Sequence, residues 1–363
     1  MEILENTSTA TTIQNKTPEA PSAVSTSNTT DETSVTVKEE DANKYNQTIN
    51  LVERSAITTA ILIPFSIIGV LIRIGLVDLH TYQNAPVFAL IYPQFVGCTI
   101  FGFCLARKGF IMESYLPLYI GLQTGLCGSI TTFSSWTLLI FQNFITPFRP
   151  LSGIDSVLAG LAVIGITIGM SIVGLKFGEH LADAFMVNQI TPKGIVHKVI
   201  IRPSNIKEFT RLDWVCVVSG CVSSGLIIAL AVSIQVQRRV LYAAVFAPIG
   251  TLIRWQLSRF NSWKSLFPIG TFTANISGSA ILGVLFFLRN GIVYSGISCE
   301  VLIGLSDGFC GCLTTISTFT AEIMSLPRRH AYKYALTSIV TGQVVMVFLV
   351  GIRAWVNNGL AIT

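Results

Sequence analysis

Two stretches of the sequence bring small, hydroxylated and aromatic residues together in one order. They are Gly125-Leu126-Cys127-Gly128-Ser129-Ile130-Thr131-Thr132-Phe133-Ser134-Ser135-Trp136 and Gly308-Phe309-Cys310-Gly311-Cys312-Leu313-Thr314-Thr315-Ile316-Ser317-Thr318-Phe319. Each lies inside an apolar run long enough to cross a bilayer. Glycine, serine and threonine clustered at that depth interrupt a helix and free backbone groups that hydrocarbon cannot satisfy. Such a break must face another break, a cavity or an ion. This is the chemistry of transport rather than of bond-making.

The other polar residues at membrane depth narrow the transported species. Arg73 and Arg254 each close a Gly-x-x-x-Arg pattern in a first apolar run, Gly69 to Arg73 and Gly250 to Arg254. A buried arginine is costly unless it snorkels or finds partners. Its recurrence favours a placed cation that sets a positive potential in an aqueous vestibule. Carboxylates are few: Asp78 ends one run, Glu300 begins another, Glu322 lies beyond the second break and Asp307 just before it. A cation pathway uses carboxylate or carbonyl rings and a proton-coupled carrier needs a titratable relay. Arginine, the Asn275 amide, the hydroxyls of Thr132, Ser134, Thr315 and Ser317, and the positive edges of aromatic rings are instead ligands for an anion.

Composition agrees with a membrane setting. Of 363 residues 51% are hydrophobic and 12% charged, and the mean hydropathy is +0.63, which excludes a soluble domain set. The polar head, residues 1–54, has too little apolar surface to fold and reads as a disordered cytosolic tail. No basic segment followed by an apolar one marks it as a cleaved signal. The eight cysteines fall mostly in apolar runs as small buried residues. The four histidines form no metal motif, and no phosphate-binding loop occurs. No nucleophile with a nearby base emerges, so an enzyme is not expected. Basic loops beside membrane spans explain the net charge of +5 without a nucleic-acid partner.

Runs of about 20 residues, the length that spans a bilayer, occur near 55–78, 86–106, 115–145, 153–178, 212–234, 240–258, 267–288, 299–325 and 331–356. The expected fold is therefore an all-α polytopic membrane protein of nine transmembrane helices, with the third and eighth broken. The runs repeat. Gly-x-x-x-Arg, then Gln94-x-x-Gly97 against Asn275-x-x-Gly278, recur 181 residues apart, and Thr131-Thr132 against Thr314-Thr315 recurs at 183. Gly165 and Gly174 are matched with Gly342 and Gly351. The chain thus reads as two four-helix repeats, 55–178 and 240–357, joined by a loop and linker helix over 179–239, with a short tail at 358–363. A ninth helix between two sets of four inverts the second set, the plan of many transport proteins. The Lys and Arg residues concentrate on the N-terminal side, among them Arg107, Lys108, Lys207, Arg259, Lys264, Arg328 and Lys333. This predicts a cytosolic N-terminus and an extracellular C-terminus, although Asn6, Asn15, Asn28 and Asn46 each begin a glycosylation sequon.

In order, Gly-x-x-x-Arg, Asn-x-x-Gly and Gly-x-x-Thr-Thr-x-Ser-Thr-Phe resemble the Fluc/FEX (CrcB-like) fluoride channels, whose eukaryotic members fuse two domains through an added helix. The resemblance covers about residues 55–357. It implies a passive fluoride channel of the plasma membrane, a monomer with two pseudo-symmetric halves whose partners are fluoride and lipid. It also implies two pores at the domain interface, each with an Asn and phenylalanine edges from both domains. A central Na⁺ would be held by the backbone carbonyls of Gly128, Thr131, Gly311 and Thr314.

The departures from the family pattern predict asymmetry. One pore would draw Phe133 and Phe319 with Asn275; the other would hold Ile316, Trp136 and Gln94 and be degenerate. The alternative is a secondary anion transporter working by alternating access, with Asp307 as its coupling group.

Overall fold

Apolar runs punctuated by charged or turn-forming residues become helices in the computed structural model, which describes residues 55–82, 85–145, 153–185, 210–291 and 297–351. The N-terminal tail with its sequons, most of the loop before the linker helix, and the C-terminal tail lie outside the described residues. Among the described residues nine helical segments follow in order: α1 Ser55–Leu79, α2 Ile91–Ala106, α3 Lys108–Ile145, α4 Gly153–Ala184, α5 Arg211–Ser233, α6 Arg238–Ser258, α7 Ile269–Gly291, α8 Ser298–Ser325 and α9 Arg328–Gly351. All but α2 are long and apolar enough to cross a membrane, and α2 is a 16-residue apolar helix. Each expected span thus meets a helix, and among the described residues no strand occurs.

Local chemistry sets the ends. Thr210 caps α5 through a reciprocal pair with Asp213, whose backbone N–H donates to the threonine hydroxyl at 3.2 Å while its carboxylate accepts the Thr210 N–H at 2.9 Å. Asp213 also accepts from the Tyr115 hydroxyl at 2.6 Å, tying α5 to α3. Tyr115 is extended, with φ −163° and ψ 100°, and the helix restarts with Pro117 in its first turn. The helix α4 runs to Ala184 rather than ending at 178. No breaker follows Gly178; Lys176 pairs with Glu179 at 2.6 Å, and Arg107 donates to the Ala182 carbonyl at 2.6 Å.

The first helices of the two halves run in opposite directions. Asp78 at the end of α1 pairs with Arg239 at the start of α6, and Arg259 just past the end of α6 reaches Ser55 at the start of α1. Helix α5 lies alongside α6 and presents Trp214, Val218, Val222 and Leu226 outward, the composition of a lipid-facing helix.

Small residues bring backbones together where helices pack most closely. On α2 and α4, a Cβ at Gly102 would strike the Leu175 carbonyl and one at Gly178 the Thr99 carbonyl. The paired reading of Gly165 and Gly342 does not hold in space. A Cβ at Gly165 would meet nothing within 4 Å, whereas one at Gly342 would come within 3.1 Å of Thr137 and 3.5 Å of Phe133. Identity at a fixed offset matched a lipid-side glycine with a core one. Gly178→Leu should therefore destabilise the detergent-solubilised protein by about 1–3 kcal/mol or more, while Gly165→Leu should leave the thermal unfolding midpoint unchanged.

Candidate functional site

The two breaks face each other. In α3 a wide π-helical stretch, Gly121–Cys127, tightens to one α turn at Gly128–Ile130, and the chain then extends at Thr131 (φ −91°, ψ 150°) before a new helix starts at Phe133. In α8 the same sequence of events runs through Leu305–Cys310, Gly311–Leu313 and Thr314 (φ −100°, ψ 158°), and the helix resumes at Ser317. Threonine suits the extended position because a β-branched side chain prefers it and a hydroxyl can cap the helix that follows.

Here the capping is exchanged between the halves. The backbone N–H groups of Phe133 and Ser134 donate to the hydroxyl of Thr314 at 3.1 and 3.0 Å. Those of Ile316 and Ser317 donate to the hydroxyl of Thr131 at 3.3 and 3.1 Å. Around these caps the hydroxyls interlock: Thr131 with Thr315 at 3.1 Å, Thr132 with Thr314 at 3.1 Å, and Ser134 with Thr314 at 3.0 Å. The Ser317 hydroxyl lies 3.1 Å from that of Thr131. All six of these hydroxyl residues are buried.

The α2 and α7 amides clamp each break from its own half. Asn275 accepts the Thr315 N–H at 2.9 Å and donates to its carbonyl at 3.3 Å. Gln94 accepts the Thr132 N–H at 3.3 Å and donates to its carbonyl at 2.7 Å. Gln94, expected in the degenerate pore, therefore clamps its break as Asn275 does, and each amide retains one further N–H.

These bonds leave carbonyls behind. The N–H groups that would continue the helix from Gly128, Ser129 and Ile130 belong to Thr132, Phe133 and Ser134, and all three go to side chains. The same holds for Gly311, Cys312 and Leu313, whose partners would be Thr315, Ile316 and Ser317. Two half-helix C-termini with unclaimed carbonyls, packed against one another, form a concentration of negative dipole ends. Such a donor set fits a hard monovalent cation. Among the described residues no cluster of His, Cys, Asp or Glu could hold a metal.

The arginines are part of this crossing. Arg73 is 4% exposed and donates to the Asp307 carbonyl in the π-helical stretch of the opposite half, its guanidinium against Gly311. Arg254 is 5% exposed and donates to the Thr124 carbonyl at 2.7 Å, its guanidinium against Gly128. A wide π turn exposes carbonyls that a regular helix would use, and a Cβ at either glycine would collide with the guanidinium. Each arginine thus staples its helix to the other half's break. The glycine four residues earlier lets that helix lie against its own half's break, Gly69 near Leu126 and Gly250 near Phe309.

Aromatic rings extend outward from the breaks. Phe133 and Phe319 meet edge to face, centroids 5.3 Å apart at 74°. Tyr334 lies 5.2 Å from Phe319, and Phe267 5.2 Å from Tyr334. Phe133 also meets Trp136 at 5.2 Å, whose indole N–H donates to the Val163 carbonyl at 3.4 Å. Ile316 is buried in the same apolar cluster. Sequence reasoning assigned no role to Glu322 or Tyr334. The Glu322 carboxylate accepts from Tyr334 at 2.7 Å, Thr271 at 2.6 Å and Asn261 at 3.1 Å, and so fixes the Tyr334 ring beside Phe319. The signal was a carboxylate three residues after Phe319, on the same helical face. At the corresponding places the first half has Leu139 in the helix and Val163 beside Trp136.

Two cavities approach this core from opposite faces. One of about 180 Å³ on the Asp78 side is lined by Arg73, Asp78, Leu90, Ser135, Arg239 and Asp307. Another of about 580 Å³ on the side of Ser55 is lined by Lys264, Phe267, His330, Lys333 and Thr337, among others.

Apolar helices interlocked through two helix breaks, with hydroxyls, amides and ring edges turned inward, define a membrane transport protein. The family model described as CrcB-like protein, Camphor Resistance (CrcB), matches twice, over residues 60–177 and 241–353. The chain belongs to that family and carries its domain in duplicate. It is 32% identical to Fluoride export protein 1 of Neurospora crassa over 363 residues, covering 83% of this chain and 67% of that protein. It is also 32% identical to Fluoride export protein 1 of Candida albicans, over 79% of this chain and 77% of that one. The Fluoride-specific ion channel FluC of Salmonella arizonae is 36% identical over 113 residues, 31% of this chain and 87% of its own. No solved structure matches the chain.

Removing one exchanged cap leaves two buried N–H groups unsatisfied. Thr131→Val and Thr314→Val should each destabilise the folded protein by about 1–3 kcal/mol, read by chemical or thermal unfolding in detergent, and Thr318→Val, outside the network, should not.

Proposed function

We propose that the protein is a passive, fluoride-selective channel that exports cytosolic fluoride across the plasma membrane, with one working pore and one degenerate pore. The observation that carries this reading is the edge-to-face pair of Phe133 and Phe319 beside the crossed break, in a chain whose relatives are named fluoride export proteins and fluoride-specific channels. In this reading α1–α4 and α6–α9 are inverted four-helix repeats joined by α5, with the N-terminus in the cytosol and the C-terminus outside. The opposed directions of α1 and α6 support the inversion.

Fluoride is small and strongly hydrated, so permeation requires donors and positive edges that replace water without holding the ion. The remaining Asn275 N–H, the hydroxyls of Thr132, Ser134, Thr315 and Ser317, and the ring edges of Phe133 and Phe319 are of that kind. One turn beyond Tyr334, the Ser338 hydroxyl is buried without a partner, free to donate to a passing anion. Arg73 and Arg254 contribute positive charge while holding the breaks together. Their unpartnered guanidinium nitrogens, Nη1 of both and Nε of Arg254, lie buried beside the pathway.

The Gly128, Thr131, Gly311 and Thr314 carbonyls would hold the structural Na⁺, which neutralises the converging helix ends when bound. The second pore has Ile316 in place of a ring edge, the bulkier Trp136, and apolar Val163 and Leu139 where the first has Tyr334 and Glu322. Outward movement of the anion requires no coupling, because a membrane potential supplies about 2.3 kcal/mol per charge per 100 mV.

Purified protein in liposomes, followed with a fluoride electrode, tests this. Efflux should require a counter-ion shunt and no proton gradient, and it should survive Asp307→Asn. Proton-coupled, shunt-independent flux lost in Asp307→Asn would favour a carrier. Phe133→Ile and Phe319→Ile should each lower the rate at least about tenfold, equivalent to ~1.4 kcal/mol. Ile316→Ala should stay near the unsubstituted rate, and equal loss from both sets would contradict a single working pore.

A further inference from the structure

The two cavities differ in charge. On the Asp78 side two arginines, Arg73 and Arg239, are balanced by Asp78 and Asp307, and Arg239 is paired with Asp78 at 3.4 Å. On the Ser55 side the lining includes Lys264, Lys333 and His330 and no carboxylate. Among the described residues the ion pairs are Lys176–Glu179 and Arg239–Asp78, so neither lysine is in one. The Glu322 carboxylate, on the helix that ends before α9, is committed to Tyr334, Thr271 and Asn261.

Helix stability does not explain this placement. The first turns of α9 carry Arg328, Arg329, His330 and Lys333, with no acidic residue in the first turn and no side-chain cap. Cations at a helix N-terminus oppose the macrodipole. The cavity also has a defined floor. Phe267 lines it and meets Tyr334, Tyr334 meets Phe319 and Phe319 meets Phe133, each at 5.2–5.3 Å. The basic cavity therefore lies at the head of the ring ladder that ends at the crossed break, and the charge-balanced cavity does not.

We propose that the cavity lined by Lys264, His330 and Lys333 is the intake of the working pore, a vestibule that concentrates small monovalent anions by its field and passes them to the Phe267–Tyr334 end of the ladder. Its lysines set capture rate and not selectivity, which belongs to the rings and donors deeper in. This rests on the channel reading above. Clefts lined by one sign of charge raise local ion concentration and entry rates by about 10- to 1,000-fold, an effect that falls steeply with ionic strength.

The test compares initial fluoride efflux from liposomes holding unsubstituted protein, Lys264→Glu/Lys333→Glu or Lys264→Arg/Lys333→Arg. Rates are taken at about 10 mM and about 1 M background salt, where screening lengths are ~30 and ~3 Å. Lys176→Glu supplies the same kind of charge change on α4, outside the cavity. The glutamate pair should be slowed at least about fivefold at low salt and less than about twofold at high salt. The arginine pair and Lys176→Glu should match the unsubstituted protein, and fluoride-over-chloride selectivity should be unchanged throughout. Recovery at high salt excludes misfolding as the cause. Unaltered rates at low salt would overturn the proposal and leave the lysines as determinants of orientation alone. Equal slowing at both salt concentrations would also overturn it, by assigning the loss to packing. No fluoride flux from the unsubstituted protein would instead remove the channel reading, and the intake with it.

Discussion

A helix broken inside hydrocarbon leaves N–H and C=O groups that nothing in the lipid can satisfy, and this protein solves the problem by crossing two such breaks. Thr131 caps the helix that resumes at Ser317, and Thr314 caps the one that resumes at Phe133. Neither break is satisfied without the other. Arg73 and Arg254 repeat the exchange on the preceding turns, each bonded to a carbonyl in the opposite half. The halves are therefore joined by buried polar bonds at their centre, and those bonds position the rings and amides beside them.

The crossing also separates two kinds of backbone group. The N–H groups at the new helix starts are all committed to side chains, while the carbonyls of the turns that end before them are left unclaimed. Any donor for an anion would then have to come from side chains: hydroxyls, the Asn275 amide and ring edges. The proposed cation, by contrast, would need only main chain. In the proposed reading, this one local solution to backbone satisfaction would serve both ions.

Much of this was legible in the sequence, and the limits have physical causes. Hydropathy placed the apolar runs and the two breaks, each of which meets a described helix, because helix length and polarity are local properties. Gly-x-x-x-Arg was legible as a placed cation, but its partners were not, since a backbone carbonyl more than 100 residues away leaves no residue-type signature. Gly165 and Gly342 matched in register yet face lipid and core, because identity at an offset does not report which way a helical position points. Glu322 was visible as a carboxylate beyond the second break. Its role in holding Tyr334 depended on Thr271 and Asn261 arriving from two other segments. The asymmetry between halves could be read from Ile316 and Trp136, and packing added Val163 and Leu139 on the same side. Gln94 alone departs from that pattern, because it clamps Thr132 as Asn275 clamps Thr315.

The central claim is that two pseudo-symmetric halves enclose one conducting path for fluoride. Single-molecule current recording in planar bilayers, with fluoride as the only permeant anion, measures this directly. The account predicts one conductance level per molecule, reduced at least about tenfold by replacing either Phe133 or Phe319. Two equal levels that open independently, or half the current surviving loss of a phenylalanine, would contradict it.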